Sequence, residues 1–182
     1  MVSLMAREIK EFLLKLSASK MIKQIKENVF QLRFKQFGSC VYLLKLKNKN
    51  IVIDTSSREN REELLADLQQ LKIKPEKVNI ILLTHNHYDH NGNLELFANA
   101  EVYNFKNIEK LKVNGVKVIY TPGHTYDSIC FLYKDILFSG DTLFHGGIGR
   151  TDLQESQPEK MSESLEKLKK IKYKILCSGH VD

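Results

Sequence analysis

Apolar residues follow two spacings along the chain, and each spacing predicts one kind of element. Apolar positions three and four residues apart predict helices, whereas short apolar runs between turn residues predict strands. Helices are predicted over residues 6–16, 59–71, 94–98 and 158–170. Strands are predicted over residues 22–25, 29–34, 40–46, 51–54, 78–83, 101–103, 116–120, 128–133, 136–138 and 174–177. The early strands are expected to be antiparallel, and strands and helices alternate after them.

Length and hydropathy indicate a single domain. The chain has 182 residues, 42% of them hydrophobic, which suits one buried core and not two ordinary domains. Apolar runs all fall short of the roughly 20 residues of a membrane helix, and the first residues lack a secretory signal pattern. We therefore expect a cytoplasmic protein that does not associate with membranes.

Charge and cysteine content exclude two further classes. The net charge of +6 arises from lysines spread over predicted helix faces without interleaved aromatic residues, so solvation is favoured over nucleic-acid binding. Cys40, Cys130 and Cys177 form no CxxC pair. Neither a disulfide framework nor a thiolate zinc site is expected, and the three thiols are predicted to be buried as small hydrophobic groups.

Candidate chemistry is concentrated directly after the predicted strand 78–83. His85, His87, Asp89 and His90 lie within six residues there, and such groups are costly at the end of a buried strand unless a cation binds them. Other candidate ligands follow later strands in loops. These are His124 in Gly123-His124-Thr125, Asp141 after Gly140, and His180 after Gly179.

Loops at one rim of a sheet can converge on one point, so these residues predict a metal centre. His85 and His87, in an H-x-H pattern, can approach the same ion. Asp89 and His90 point toward a neighbouring ion, and the two carboxylate oxygens of Asp141 allow it to bridge both.

In this order, H-x-H-x-D-H, Gly-His-Thr, Gly-Asp-Thr and a final Gly-His resemble the signature of the metallo-β-lactamase-fold hydrolases. The resemblance extends from about Met21 to the end of the chain. Residues 139–152 are similar to the glyoxalase II (hydroxyacylglutathione hydrolase) branch. The resemblance implies an α/β (α+β) protein built as a four-layer αββα sandwich.

The resemblance also implies a ligand set and a reaction. His85, His87 and His124 would hold one divalent ion, Asp89, His90 and His180 a second, and Asp141 would bridge them. Zinc is expected, with iron or manganese as alternatives. The implied activity is hydrolysis of a small thioester or ester by a metal-bridging hydroxide, with Asp89 as the catalytic residue that handles its proton.

Three further residues are candidates for contact with a small-molecule substrate. His145 lies near the expected rim of the site, and Tyr88 and Tyr126 flank metal ligands. Each has an ordinary alternative: a loop position for His145 and aromatic packing for the tyrosines. Arg150 and Asp152 are expected to form an ion pair that shapes the same loop.

Residues 1–20 precede the part that carries the resemblance, residues 21–182. The helix predicted over 6–16 has an amphipathic face formed by Ile9, Phe12, Leu13 and Leu16. We expect it to replace the closing helix that relatives carry after the last Gly-His, as in a circular permutant.

Alternative functions remain open from the sequence. A persulfide dioxygenase of the same fold would use a single iron at His85, His124 and Asp141. A metal-binding protein with little turnover is a second alternative. A nuclease of this fold is disfavoured, because the RNA-processing branches carry insertions for which 182 residues leave no room. The sequence does not define the oligomeric state.

Overall fold

The computed structural model describes residues 21–180. The predicted helix over 6–16 lies outside this range. Within the described range, ten strands form two stacked sheets. They are β1 (Ile22–Lys26), β2 (Val29–Leu32), β3 (Val41–Lys45), β4 (Asn50–Ile53), β5 (Ile80–Leu82), β6 (Glu101–Tyr103), β7 (Val116–Tyr120), β8 (Ile129–Tyr133), β9 (Ile136–Gly140) and β10 (Ile175–Ser178).

The first sheet has the strand order β1-β2-β3-β4-β5-β6, with antiparallel pairing up to β4 and parallel pairing from β4 to β6. The second sheet has the order β10-β9-β8-β7, and only the β9–β10 pair in it is parallel. The expected change from antiparallel strands to alternating strands and helices is therefore confirmed.

Three α-helices accompany the sheets within residues 21–180. They are α1 (Arg61–Gln70), α2 (Tyr88–Asn91) and α3 (Pro158–Lys169). Single 3-10 turns occur at Arg58–Asn60, Pro75–Lys77, Leu94–Leu96 and Ile108–Lys110. The helix predicted over 94–98 is thus only one 3-10 turn. The short helix α2 was not predicted, because four residues are too few for a periodic pattern.

Three apolar clusters separate the four layers. Since successive side chains of a strand point to opposite faces, Tyr42 and Leu44 of β3 lie between the sheets, and Leu43 lies beneath α1 with Leu64 and Leu68. On the outer face of the second sheet, Cys130, Leu132 and Leu137 pack with Leu168 of α3. The layers follow the order α1, first sheet, second sheet, α3, which is the expected αββα sandwich.

The three cysteines are buried and free, as predicted. Burial raises the pKa of the Cys40 and Cys130 thiols to about 11 and that of Cys177 to about 12. Within residues 21–180 no helix combines the length and apolar character that crossing a membrane requires.

Candidate metal centre

The candidate ligands meet at one rim of the sandwich. His85 follows β5, His124 follows β7, Asp141 directly follows β9, and His180 follows β10. Asp89 and His90 lie on helix α2 and not in a loop, which corrects the expectation that every ligand is a loop residue. The turn of helix places these two side chains toward the ion site that neighbours His85 and His87.

Among residues 21–180, seven side chains form three overlapping groups in which the candidate ligand atoms, nitrogen or oxygen, lie within 4.8 Å of one another. One group contains only imidazoles, and another contains Asp89 with two imidazoles. The remaining group contains Asp141 and shares one histidine with each of the other two. The groups are His85, His87, His124; His85, His90, Asp141; and Asp89, His90, His180.

In the first half of the centre, three imidazole nitrogens converge. His87 Nδ1 lies 2.9 Å from His85 Nε2 and 3.1 Å from His124 Nε2. The opposite ring nitrogens determine the tautomers. His87 Nε2 donates to Glu155 Oε1 at 2.5 Å, and His124 Nδ1 donates to the Arg150 carbonyl at 2.8 Å.

The tautomer of His85 is determined by its contact with Thr84. Thr84 Oγ1 donates to Asp54 Oδ2 at 2.8 Å, so it accepts from His85 Nδ1 at 3.1 Å. All three inward nitrogens then present lone pairs to the same point. Lone pairs that face each other repel, so this arrangement fits a cation between them.

The second half contains carboxylates as well as imidazoles. His90 Nδ1 donates to Asp54 Oδ2 at 2.8 Å, which turns its Nε2 inward. That nitrogen lies 3.3 Å from Asp141 Oδ1, yet both atoms are buried and lack a hydrogen-bond partner. His180 Nε2 lies 3.2 Å from Asp89 Oδ2 and 3.5 Å from Asp141 Oδ2. Buried polar atoms without partners are uncommon, and these two fit metal coordination.

Two glycines leave room for this packing. A Cβ at Gly179 would overlap Asp141 Oδ1 and would lie 2.8 Å from His90 Cε1. Gly140 has φ +51°, and a Cβ there would lie 2.6 Å from the Thr84 side chain. A larger residue at either position would displace a ligand or its support.

Burial and charge set the protonation of the ligands. Burial lowers the pKa of His85 and His124, so both are neutral, as metal ligands must be. Burial also disfavours charge on His90 and His180, but nearby carboxylates outweigh it. They raise the pKa to about 10 for His90 and to about 9 for His180. Without a metal ion, His90 and His180 are therefore protonated at neutral pH and carry the positive charge of the second half.

The two carboxylates of the centre are ionised despite their burial. Burial raises the pKa of Asp89 and of Asp141, whereas the neighbouring histidines lower both by more. The net result is a pKa below the ordinary value for each. The centre thus offers two anionic ligands and five imidazoles to cations.

Sequence reasoning missed two residues that position the ligands. Asp54 is buried, binds Thr84 and His90, and has a φ of 56°, which is uncommon outside glycine. Its place at the end of β4, on the same rim as the ligands, was a signal for it. Glu155 contacts His87 from a distant loop, and no spacing in the sequence indicates that contact.

The three candidate substrate residues surround the centre without binding to its ligands. Tyr88 is 65% exposed beside Phe37, whose ring stacks on His180 at 5.5 Å. Tyr126 packs against Phe105 near Asn86. His145 is exposed and lines a groove that also reaches His180. The expected ion pair between Arg150 and Asp152 is present, with 2.7 and 2.9 Å contacts on the surface.

The comparisons with known proteins agree with this centre. A family model described as the metallo-beta-lactamase superfamily matches residues 35–108 and 105–180. The chain belongs to the metallo-beta-lactamase superfamily. The predicted family and its αββα fold are thereby confirmed.

Individual relatives carry hydrolase names. A probable metallo-hydrolase of Methanocaldococcus jannaschii, MJ0296, is 32% identical over 143 residues, which cover 71% of this chain and 70% of that protein. A hydroxyacylglutathione hydrolase of Idiomarina loihiensis is 34% identical over 151 residues, or 72% of this chain and 56% of the relative. The chain thus spans little more than half the length of that hydroxyacylglutathione hydrolase.

A solved structure gives a further comparison. The crystal structure of ETHE1 from Myxococcus xanthus superposes with a TM-score of 0.66 at 25% identity. The match covers 85% of this chain and 76% of that one. Superfamily membership and a cluster suited to metal binding are therefore established for this chain.

Proposed function

We propose that the protein is a binuclear metal-dependent hydrolase of small thioesters or esters, with a chemistry like that of glyoxalase II. The observation that carries the proposal is the pair of ligand groups joined through Asp141, in which inward lone pairs and unpartnered buried atoms face each other. The names of the hydrolase relatives support the same reaction class.

The residues divide into two sets of ligands. His85, His87 and His124 would hold one ion, and Asp89, His90 and His180 the other, with Asp141 shared. Two divalent ions held by these residues would make hydroxide available at neutral pH and would polarise the acyl carbonyl. Zinc is the proposed metal, because imidazole and carboxylate ligands suit it, although iron and manganese bind the same donor types.

Asp89 is the proposed catalytic residue. Its carboxylate is ionised, because the contact with His180 Nε2 at 3.2 Å and the charge of His90 outweigh its burial. An ionised carboxylate can orient a water and take its proton. His87 and His180 are the partly exposed members of the cluster, at 21% and 27%, so a substrate approaches from their side.

Residues behind the ligands keep the cluster in place. Asp54 and Thr84 hold His85 and His90, and Glu155 holds His87. These contacts fix ring orientation before a substrate arrives, which lowers the cost of reaching the reactive geometry.

The test is metal analysis combined with thioester hydrolysis. Elemental analysis of purified protein should find about two metal ions per chain, and S-lactoylglutathione or a simpler thioester should be hydrolysed. Asp89→Ala and His90→Ala should abolish turnover, whereas Asp135→Ala, on the distant β8–β9 turn, should retain it. Two bound metals without hydrolysis of any thioester or ester would contradict the proposal.

The persulfide dioxygenase is the second candidate, favoured by the likeness to ETHE1 and by the proximity of Asp141 to His85 and His124. The intact group Asp89, His90 and His180 has no part in a site that uses only one ion. One iron per chain, oxygen uptake with a persulfide and no thioester hydrolysis would identify the dioxygenase.

A further inference from the structure

A groove of about 430 Å³ runs from the metal centre between the β1-β2-β3 edge and β10. In the strand register, Lys23 lies opposite Gln31, and Gln31 lies opposite Tyr42. These three side chains therefore point to the same face of the first sheet. Arg33, two residues beyond Gln31, lines the groove together with Lys174 at the start of β10. We call the space lined by Lys23, Arg33 and Lys174 the basic groove.

The basic groove is lined by cations and by no acid. Its lining includes no aspartate or glutamate. Among residues 21–180, no carboxylate forms an ion pair with Lys23, Arg33 or Lys174, whereas nearby Lys26 is paired with Asp135 at 2.6 Å. Asp135 also attracts Lys174 electrostatically, so Lys23 and Arg33 are the cations of the groove with no acid partner among the described residues. Cations along one cleft produce a positive potential that attracts an anion.

Arg33 provides a second, independent sign of a missing partner. Its Nε atom is buried and makes no hydrogen bond. A buried donor that carries positive charge is costly unless an acceptor reaches it. No described residue supplies that acceptor, and Arg33 lines the groove, so its guanidinium is placed to meet an anionic ligand there.

The groove is continuous with the reactive end of the site. His180 and Ser178 belong to its lining. Gln31 Nε2 donates to the Tyr42 hydroxyl at 3.1 Å, and that hydroxyl donates to the Ser178 carbonyl at 2.6 Å. Lys174 lies six residues before His180, which corresponds to about 20 Å of extended chain. The groove therefore accommodates an arm of the substrate and not only its reacting group.

We propose that the basic groove binds an anionic arm of the substrate, so that the preferred substrates are thioesters whose arm carries a carboxylate or a phosphate. This inference rests on the proposed hydrolase function and adds the charge of the substrate to it. Lys23, Arg33 and Lys174 determine specificity and do not take part in bond cleavage.

Two pairs of thioesters test the proposal with the metal-loaded full chain. S-acetyl-N-acetylcysteine is compared with neutral S-acetyl-N-acetylcysteamine, and S-acetyl-4'-phosphopantetheine with neutral S-acetylpantetheine. The first pair tests a carboxylate and the second a phosphate. We expect kcat/KM to be at least about tenfold higher for the anionic member of one pair, and this ratio to fall as salt is raised.

Charge-neutralising variants then locate the effect. Arg33→Gln and Lys174→Gln should each lower the ratio of anionic to neutral kcat/KM by about tenfold. Lys172→Gln is the matched control, because Lys172 is exposed beside β10 and does not line the groove. Its ratio should equal that of the wild type.

The outcomes separate this inference from the function on which it rests. Equal hydrolysis of anionic and neutral thioesters, or ratios unchanged in both variants, would overturn the basic groove while leaving the hydrolase intact. If no thioester is hydrolysed, the hydrolase function fails. In that case, calorimetric titration with 4'-phosphopantetheine and with N-acetylcysteine tests the groove by itself. Binding that Arg33→Gln weakens would support the proposed anion site. If the wild type binds neither compound, the proposed anion site is overturned.

Discussion

The half of the centre formed by His85, His87 and His124 differs from the half formed by Asp89, His90 and His180 in its charge. The first half contains only imidazoles, and burial lowers the pKa of two of them, His85 and His124, so that both are neutral. In the second half, Asp54, Asp89 and Asp141 surround two histidines that hold protons at neutral pH. A metal ion has to displace protons from His90 and His180 but not from His85 or His124.

This difference teaches how one rim can offer two unlike sites. Asp141 contacts both halves, with Oδ1 at 3.3 Å from His90 Nε2 and Oδ2 at 3.7 Å from His124 Nε2. Among the candidate ligands of residues 21–180, Asp141 is thus the only carboxylate beside the imidazoles of the first half, whereas the second half also contains Asp89. Residues behind the ligands differ as well, since Asp54 is buried and Glu155 is 39% exposed.

The largest effect is expected from a change at Asp141, the residue that the two halves share. Asp141→Asn leaves the shape but removes the negative charge from a buried network, a loss of about 3–5 kcal/mol in comparable networks. We expect thioester turnover to fall by about 10²–10⁴-fold, with weaker binding of both ions. Enzyme kinetics and elemental analysis measure these losses. Asp135→Asn, a surface carboxylate paired with Lys26, is the control and should behave as the wild type.

Asp54→Asn should weaken metal binding to different extents in the two halves. Asp54 binds His90 directly and reaches His85 only through Thr84, so the second half should lose more affinity. Partners of metal-binding histidines typically contribute about 10–100-fold in affinity. Stepwise zinc titration against a chelator should show that the weaker binding step is the one most affected. Equal weakening of both steps would contradict the division of the centre into unlike halves.

Glu155→Gln is the matching change for the first half, with a smaller expected effect. Glu155 accepts from His87 Nε2 but is partly exposed, and solvent screens such pairs. We expect the first half to bind zinc less than about tenfold more weakly, in the same titration. Glu166→Gln, on an exposed pair with Lys169, should change nothing. An unchanged Glu155→Gln protein would show that this contact does not position His87.

The last effect does not involve catalysis or metal affinity and concerns the stability of the metal-free protein as a function of pH. The folded-state pKa values of His90 and His180, about 10 and about 9, lie above the ordinary value of 6.5. Such groups stabilise the fold fully below pH 6.5, and this contribution is lost as pH rises through 9 to 10. Urea unfolding with a chelator present should therefore give a free energy of unfolding that falls between pH 7 and 9.

Zinc provides the control for that pH dependence. A bound ion replaces the two protons, so the fall between pH 7 and 9 should be absent from the zinc-loaded protein. The same curve with and without zinc would mean that His90 and His180 do not hold these protons.

Local patterns predicted most of the fold. The apolar spacing over 158–170 corresponds to α3, Pro158–Lys169, because one face of that helix is buried on the second sheet. Strand positions agreed to within a few residues, since β-rich runs between turn residues are a local property. The helix α2 was missed because its four residues, including two ligands, carry no periodicity.

The candidate ligands could be proposed from the sequence because they follow strands that end at one rim, and their order resembles that of a known family. Their supports were less predictable. Glu155 lies 68 residues from His87 in sequence, and only the folded chain shows the contact. The basic groove was missed for the same reason, because Lys23, Arg33 and Lys174 come from opposite ends of the domain.

The central claim is that two unlike halves of one centre each hold an ion. Elemental analysis of protein saturated with zinc and freed of excess metal tests it most directly, for the wild type and for His180→Ala. The account predicts about two ions per chain in the wild type and about one in the variant, whose first half stays intact. One ion in both proteins would contradict it.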